Sequence, residues 1–241
     1  SADDWQSEAE ESRFDAWLFR QKTPITLALL GVMIIMGVTQ LFIEDLNMDW
    51  SRKSVGLAGL TKTPNTEWWR FITAPFLHGN LLHWLMNAAA LKYLARRVEC
   101  LARWPHVIIV LAGSALVGSL TTYQFTIQPS VGASGGIMGL LGFLLIFEML
   151  HTKLVPKPTR RRLLAGVVLT ALMGAMGFQF IDNAAHAGGL FAGMAYAAIV
   201  FPPSKSPHRP RIMKQDRLIA SVGAVIIVLG MIWTILKLRG H

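Results

Sequence analysis

Hydrophobic positions along this chain gather into seven long runs, near Ile25–Ile43, Pro75–Ala95, Pro105–Tyr123, Ser134–Leu150, Leu163–Phe180, Ala184–Phe201 and Leu218–Leu236. Polar and basic stretches separate them. A helix needs about 20 residues to cross a hydrocarbon core of roughly 30 Å, and each run approaches or exceeds that length. No run alternates polar and apolar positions as a barrel strand would, and at that depth no water can satisfy free backbone groups, so every run is predicted helical. The predicted fold class is therefore all-α: a polytopic transmembrane helical bundle. The acidic start through Phe14 reads as a mobile tail within a cytoplasmic segment 1–24, and no cleavable signal is apparent after Ser1. The Pro- and Ser-rich stretch Phe201–Pro210 reads as a tether inside a basic linker, 202–217. It would let a seventh span, in a segment 218–241, stand somewhat apart from a six-span core, 25–201.

Composition agrees with this partition. The 241 residues are 53% hydrophobic and 15% charged, with a mean hydropathy of +0.44. Soluble domains carry about a quarter charged residues, so this chain has too little polar surface to cover itself in water. The net charge of +9 does not indicate nucleic acid, because the basic residues sit in short clusters between apolar runs. The lone cysteine, Cys100, excludes an internal disulfide framework.

Of the 23 Lys and Arg residues, 17 fall in the amino-terminal segment and in the second-to-third, fourth-to-fifth and sixth-to-seventh connections. This places the amino terminus in the cytoplasm and the carboxyl terminus outside. A bacterial inner membrane is the expected location. Spans two, four and six then run inward from the outer face, and their first turns carry the polar residues His78, His83, Asn87, Ser134, Asp182, Asn183 and His186. Polar groups converging in hydrocarbon mark a site by default. Lys92 and Glu148 lie near inner ends, where they are expected to snorkel to water.

Ser134 opens span four in VGASGGIMGLLGF, and the glycines around it, Gly132 and Gly135 among them, permit a sharp turn and a close helix crossing. Span six offers the matching face, with Ala185, Gly189 and Gly193 at four-residue intervals. Their crossing would bring His186 to Ser134 as the base a serine nucleophile requires. His83 and Asn87 share a face of span two, with His83 placed roughly 12 Å below the helix start, and both can donate to a developing oxyanion, as can the Ser134 amide. His78, about 140° around that helix from His83, is expected to face elsewhere and brace the first connection. Asp182 either orients His186 or sits as a solvated acid at a helix start, the latter being favoured.

Each signal also has a plainer explanation. Glycine-rich membrane helices are usually packing faces, and a single intramembrane histidine can be a structural hydrogen-bonder. Three histidines raise the question of zinc, but His78 and His83 do not share a face, no His-Glu-x-x-His motif occurs, and Cys100 lies at the other side; no metal or cofactor is expected. Ser134, His186, His83 and Asn87 on three helices with matched glycine faces are much harder to explain separately.

Taken together these residues resemble the rhomboid intramembrane serine proteases. The likeness rests on His78-x4-His83-x3-Asn87, on Gly132-Ala133-Ser134-Gly135, and on Ala185-His186-x2-Gly189-x3-Gly193, in that order, with Trp69-Arg70 in the long first loop. The resemblance implies a rhomboid-like six-helix core plus a seventh carboxyl-terminal helix, with Ser134 as nucleophile and His186 as general base of a dyad lacking an acidic third member. His83, Asn87 and the Ser134 amide would form the oxyanion hole. Substrates would be transmembrane proteins with helix-weakening residues near the outer face, and membrane lipids would be the other partners. Where family members often carry a tyrosine four residues after the nucleophile, this chain has Met138, whose thioether can contact an imidazole face. The long connection Glu44–Ala74, with Trp50, Trp68 and Trp69, is expected to lie in the headgroup interface. Two other activities fit the same motifs: a catalytically silent rhomboid-like protein that binds membrane clients, and a rhomboid-like sorting enzyme that trims carboxyl-terminal anchors.

Overall fold

The computed structural model describes residues 2–51, 53–61, 67–177 and 181–239. Ser1 and the predicted end of the fifth span at Phe180 lie outside the described residues. The described residues are helical with two isolated bridge contacts, Asp49 with Asn80 and Leu60 with Ser130. The seven predicted spans correspond to α2 (Pro24–Ile43), α5 (Leu81–Leu101), α6 (Trp104–Phe125), α7 (Ser134–Leu150), α8 (Lys157–Met176), α9 (Asn183–Val200) and α10 (Lys214–Arg239). Before α2 stands α1 (Ala2–Arg20), and the long first connection holds α3 (Ser54–Ala58), α4 (Arg70–Thr73) and a 3-10 turn, Ala74–Phe76.

At the centre is α7, buried without interruption from Gly135 to Leu144, as expected of a helix apolar all round its circumference. It packs against α5, α6 and α9. On the outside, large apolar side chains such as Leu27, Ile34, Leu116, Leu172, Phe191 and Leu229 remain exposed. A surface of that extent belongs in hydrocarbon rather than water. Among the described helices of 18 residues or more, α2, α6 and α10 are apolar enough to cross a membrane on composition alone. Several polar residues of α5, among them Asn87, Arg97 and Glu99, are buried inside the bundle.

Several expectations are corrected. The acidic start is not a free tail: in α1, Phe14 is buried in the core, Arg162 of α8 pairs with Glu11 and Asp15 at 2.7 Å each, and Arg96 donates to the Leu18 carbonyl at 2.9 Å. Glu148 does not snorkel. Its carboxylate is fully buried and receives Arg97 in a two-pronged pair, Nε to Oε1 at 2.5 Å and Nη2 to Oε2 at 3.0 Å. A buried carboxylate is tolerated because the guanidinium fork supplies both charge and hydrogen bonds. Nor does α10 stand apart. It packs along α6 and against the first connection, with Gly223 toward Ile108 and Gly230 toward Ile72 and Phe76. The linker before it is pinned by Ser204 N to the Leu150 carbonyl (2.8 Å) and Arg209 Nη1 to the Cys100 carbonyl (3.1 Å).

The first connection is a folded plug. Glu44 caps α3, accepting from Ser54 N at 2.6 Å and Ser54 Oγ at 2.9 Å, and Arg70 clamps the Gly59 carbonyl at 2.6 Å. Trp50 is buried within the plug and donates to the Asn47 carbonyl, so it does not belong to a headgroup belt; Trp68 is exposed. The plug supports the segment ahead of α7 through Leu60 N to Ser130 O (2.9 Å), Ser130 N to Leu60 O (2.8 Å) and Gly132 N to Ala74 O (3.0 Å).

Candidate active site

Three helix starts meet on one side of this support. Asn80 caps α5 by accepting from His83 N at 2.8 Å, which puts His83 in the first turn rather than deep in the helix. The helix begins at Leu81, six residues later than the hydropathy pattern predicts, because Pro75 belongs to the 3-10 turn. His78 precedes the helix, so helical angles do not govern it. Its ring lies edge-on to His83, centroids 5.1 Å apart, rather than facing elsewhere. Its backbone is held by Gln40, which accepts from His78 N (2.9 Å) and donates to His78 O (3.0 Å). In that respect it does brace the approach to the helix. Both ring nitrogens of His78 are buried without a hydrogen-bond partner among the described residues.

One turn beyond His83, Asn87 is buried and its Nδ2 also has no partner among the described residues. Both side chains lean on Gly132. A Cβ on Gly132 would lie 2.8 Å from His83 Cε1, 3.0 Å from His83 Nε2 and 3.6 Å from Asn87 Nδ2. Gly132 has φ +124°, a region where only glycine rests easily, so residue type is fixed there twice over. Two hydrogen-bond donors thus stand against the backbone two residues before Ser134.

Ser134 is the first residue of α7 and is partly exposed. The first amides of a helix have no partner within it, so the Ser134, Gly135 and Gly136 N–H groups add to the donors at this point. Ser134, Ser130, Ser119, Gly132 and Ala185 line a cavity of about 10 Å³, room for a single water.

The crossing of α7 and α9 is a backbone contact. A Cβ on Gly189 would overlap the Gly135 carbonyl oxygen, and one on Gly193 would overlap that of Gly139. In α6, Gly118 lies under Ala185, where a Cβ would sit 2.9 Å from its carbonyl oxygen, and Ser114 fills the space beside Gly139. This third face of α6 is marked in the sequence by small residues four apart, Ser114 and Gly118. With small residues on all three helices, His186 is carried to the end of α9 beside Ala185. It is half-buried, and its Nδ1 has no hydrogen-bond partner among the described residues. Met138 is buried in the apolar core of α7.

Asp182 is neither free in solvent nor simply an acid at a helix start. Its Oδ1 caps α9 by accepting from Ala185 N at 2.9 Å, and its Oδ2 accepts from Thr122 Oγ1 at 2.6 Å and from Ser130 Oγ. One carboxylate therefore ties α6, α9 and the segment leading to Ser134. The solvated reading fails because hydroxyls on two neighbouring elements take the place of water.

The Rhomboid domain matches residues 65–203 of the chain. The chain is similar to "Rhomboid protease GluP" of Bacillus subtilis (strain 168), 27% identical over 221 residues, which cover 88% of this chain and 42% of that protein. It is 31% identical over 133 residues to "Putative rhomboid protease YdcA" of the same organism, covering 54% of this chain and 65% of that one. Similarity extends to "Inactive rhomboid protein 1" of Papio anubis, 28% identical over 140 residues, 57% of this chain and 16% of the relative. The chain thus spans less than two thirds of the length of these relatives.

Proposed function

The chain belongs to the rhomboid family, a membrane-embedded family with named proteases among its members, and from that premise we propose that it is itself an intramembrane serine endopeptidase. Ser134 Oγ attacks the carbonyl carbon of the scissile peptide bond while His186 takes its proton. The negative charge that forms on the carbonyl oxygen is met by His83, Asn87 and the Ser134 amide. As the tetrahedral intermediate collapses, the C–N bond breaks and His186 returns the proton to the leaving amine. Water then attacks the ester, again losing its proton to His186, and Ser134 is regenerated as the acid product leaves.

The observation that carries this reading is the contact at Gly132. Two side-chain donors, one of them buried without a partner, are held against the chain two residues before a serine at a helix start. A buried donor left unpaired is unfavourable unless something fills it during function. A developing oxyanion is such a partner, and preorganised donors of this kind are worth about 10²–10³ in rate.

Substrates are transmembrane helices that unwind readily near the outer face, because an intact helix hides its carbonyls in its own hydrogen bonds. The distribution of basic residues supports an amino terminus in the cytoplasm and a site at the external side, and the reading takes the membrane to be a bacterial inner membrane. The test is cleavage of a model transmembrane substrate by the purified protein in lipid, parent against Ser134→Ala. Loss of product in the variant supports the reading. Equal product from both overturns Ser134 as the nucleophile, and product from neither overturns the protease reading in favour of a catalytically silent client-binding role. Mass spectrometry of the product termini separates hydrolysis from transfer to another nucleophile or the trimming of carboxyl-terminal anchors.

A further inference from the structure

At the other end of α5, 21 residues and thus about 30 Å from His83, lies a second and larger cavity of 400 Å³. It is bounded by Lys22 ahead of α2, by Arg103 and Trp104 at the α5–α6 junction, and by Arg209 and Ile212 of the linker before α10. Its size lies in the range of small-ligand sites.

The charges around it are unbalanced. Glu99 also lines the cavity, but its carboxylate is engaged as the cap of α2, accepting from Ile25 N at 3.1 Å, Thr26 N at 2.8 Å and Thr26 Oγ1 at 2.7 Å. Arg209 donates Nη1 to the Cys100 carbonyl and lies over the Trp17 ring at 5.9 Å. Arg103 Nε is buried with no hydrogen-bond partner among the described residues. Burial, and then the neighbouring Arg209, push the Arg103 guanidinium below its ordinary value. Arg103 is also held at φ +87°, where side chains other than glycine rarely rest, and it immediately precedes the amino end of α6, the positive end of that helix's dipole.

Two guanidinium groups, one ammonium and a helix amino end around one open cavity form a site for an anion, and the forked geometry of arginine favours phosphate. Trp104 and Ile212 give the cavity an apolar side, as a position in the headgroup layer requires. We propose that this cavity binds a phosphate-bearing anion at the basic end of the bundle, bridging the start of α2, the α5–α6 turn and the linker to α10. A bound phosphate would relieve the repulsion between Arg103 and Arg209 and give Arg103 Nε its missing acceptor. The group could come from an anionic lipid or from soluble phosphate, and nothing in the proposal depends on Ser134 being catalytic.

The test uses the full chain in phosphatidylcholine nanodiscs, titrated with phosphatidylglycerol in one arm and inorganic phosphate in the other. Thermal unfolding and native mass spectrometry are read in both. The variants are Arg103→Gly, which removes the guanidinium while suiting the backbone conformation, Arg209→Gln and Lys22→Gln. Lys237→Gln at the far end of α10 is the control. The expected result is a rise in Tm and a retained ligand in the parent and in Lys237→Gln, with at least tenfold weaker retention in Arg103→Gly and Arg209→Gln. A response to phosphatidylglycerol alone identifies a lipid headgroup; a response to inorganic phosphate identifies a soluble anion. No response in either arm, or equal retention by the parent and Arg103→Gly, overturns the proposal.

Discussion

Gly132 and His83 are fitted to each other: the space a Cβ would take on the glycine is occupied by the imidazole, with Cε1 at 2.8 Å and Nε2 at 3.0 Å. The glycine's backbone conformation, φ +124°, is the one that lets the chain pass under the ring and turn into α7 at Ser134. Local conformation and packing therefore meet in one pair of residues, one in the first turn of α5 and the other in the segment that leads into α7.

Gly132→Ala should separate these contributions. The methyl group is strained by its φ, at about 1–3 kcal/mol, and displaces His83. Cleavage should fall on the order of 10²–10³, the usual effect of losing one oxyanion donor. His83→Ala should lose a similar factor, and the double variant should be little worse than either single one, because both remove the same interaction. Substrate cleavage rates across this cycle provide the check; additive losses would contradict a shared role.

The α7–α9 crossing tolerates no side chain at Gly189, where a Cβ would overlap the Gly135 carbonyl oxygen. Gly189→Val should destabilise the fold by at least about 1–3 kcal/mol, the usual range for overpacking, and, on the proposed dyad, should abolish cleavage by pushing α9, which carries His186, away from α7. Gly166→Ala in α8 is the counterpart, since nothing lies within 4 Å of its Cβ position. There a helix interior should gain about 0.5–1 kcal/mol. Thermal unfolding of the two variants in the same lipid should move in opposite directions.

The chain's hydropathy shows the spans, α2, α6 and α10 being apolar enough to cross a membrane on composition alone, while the proposed site residues Ser134, His186, His83 and Asn87 are legible only as members of motifs. Other features were illegible for physical reasons. Glu148 looks like an end-of-helix acid until Arg97, 51 residues earlier, is seen to supply its counter-charge. His78 could not be placed by helical angles because Asn80, not Pro75, starts the helix. Trp50 has the residue type of an interfacial anchor but lies inside a plug whose folding depends on long-range contacts such as Leu60 with Ser130. Periodicity reports the faces of helices; it does not report what irregular segments do between them.

The Arg97–Glu148 pair, both residues essentially inaccessible, should behave as a unit. Glu148→Gln leaves a buried guanidinium without its counter-charge and should cost about 3–5 kcal/mol. Replacing both residues together, with Met at 97 and Leu at 148, should recover much of that loss, because well-packed apolar groups can substitute for a buried ion pair. Unfolding measurements on the parent and the two variants test this, and a double variant no more stable than Glu148→Gln would contradict it.

Asp182 gives the last prediction, because its contacts join the support of the site to the helix that carries His186. Oδ1 holds the Ala185 amide at the start of α9, and Oδ2 holds Thr122 on α6 and Ser130 on the strand-like segment that leads through Gly132 to Ser134. Asp182→Asn keeps an acceptor for the cap, so the fold should lose only about 0.5–2 kcal/mol. It exchanges one anionic oxygen for a donor facing two hydroxyls, and those hydroxyls must reorient or separate. If Asp182 acts by positioning, kcat should fall while KM stays near the parental value. Ser130→Ala should reproduce part of that fall, since it removes one of the same hydrogen bonds. Asp182→Glu should restore less than its charge would suggest, because the longer side chain cannot cap Ala185 and reach Ser130 at once. A kcat for Asp182→Asn equal to that of the parent would mean that the carboxylate serves only to start α9.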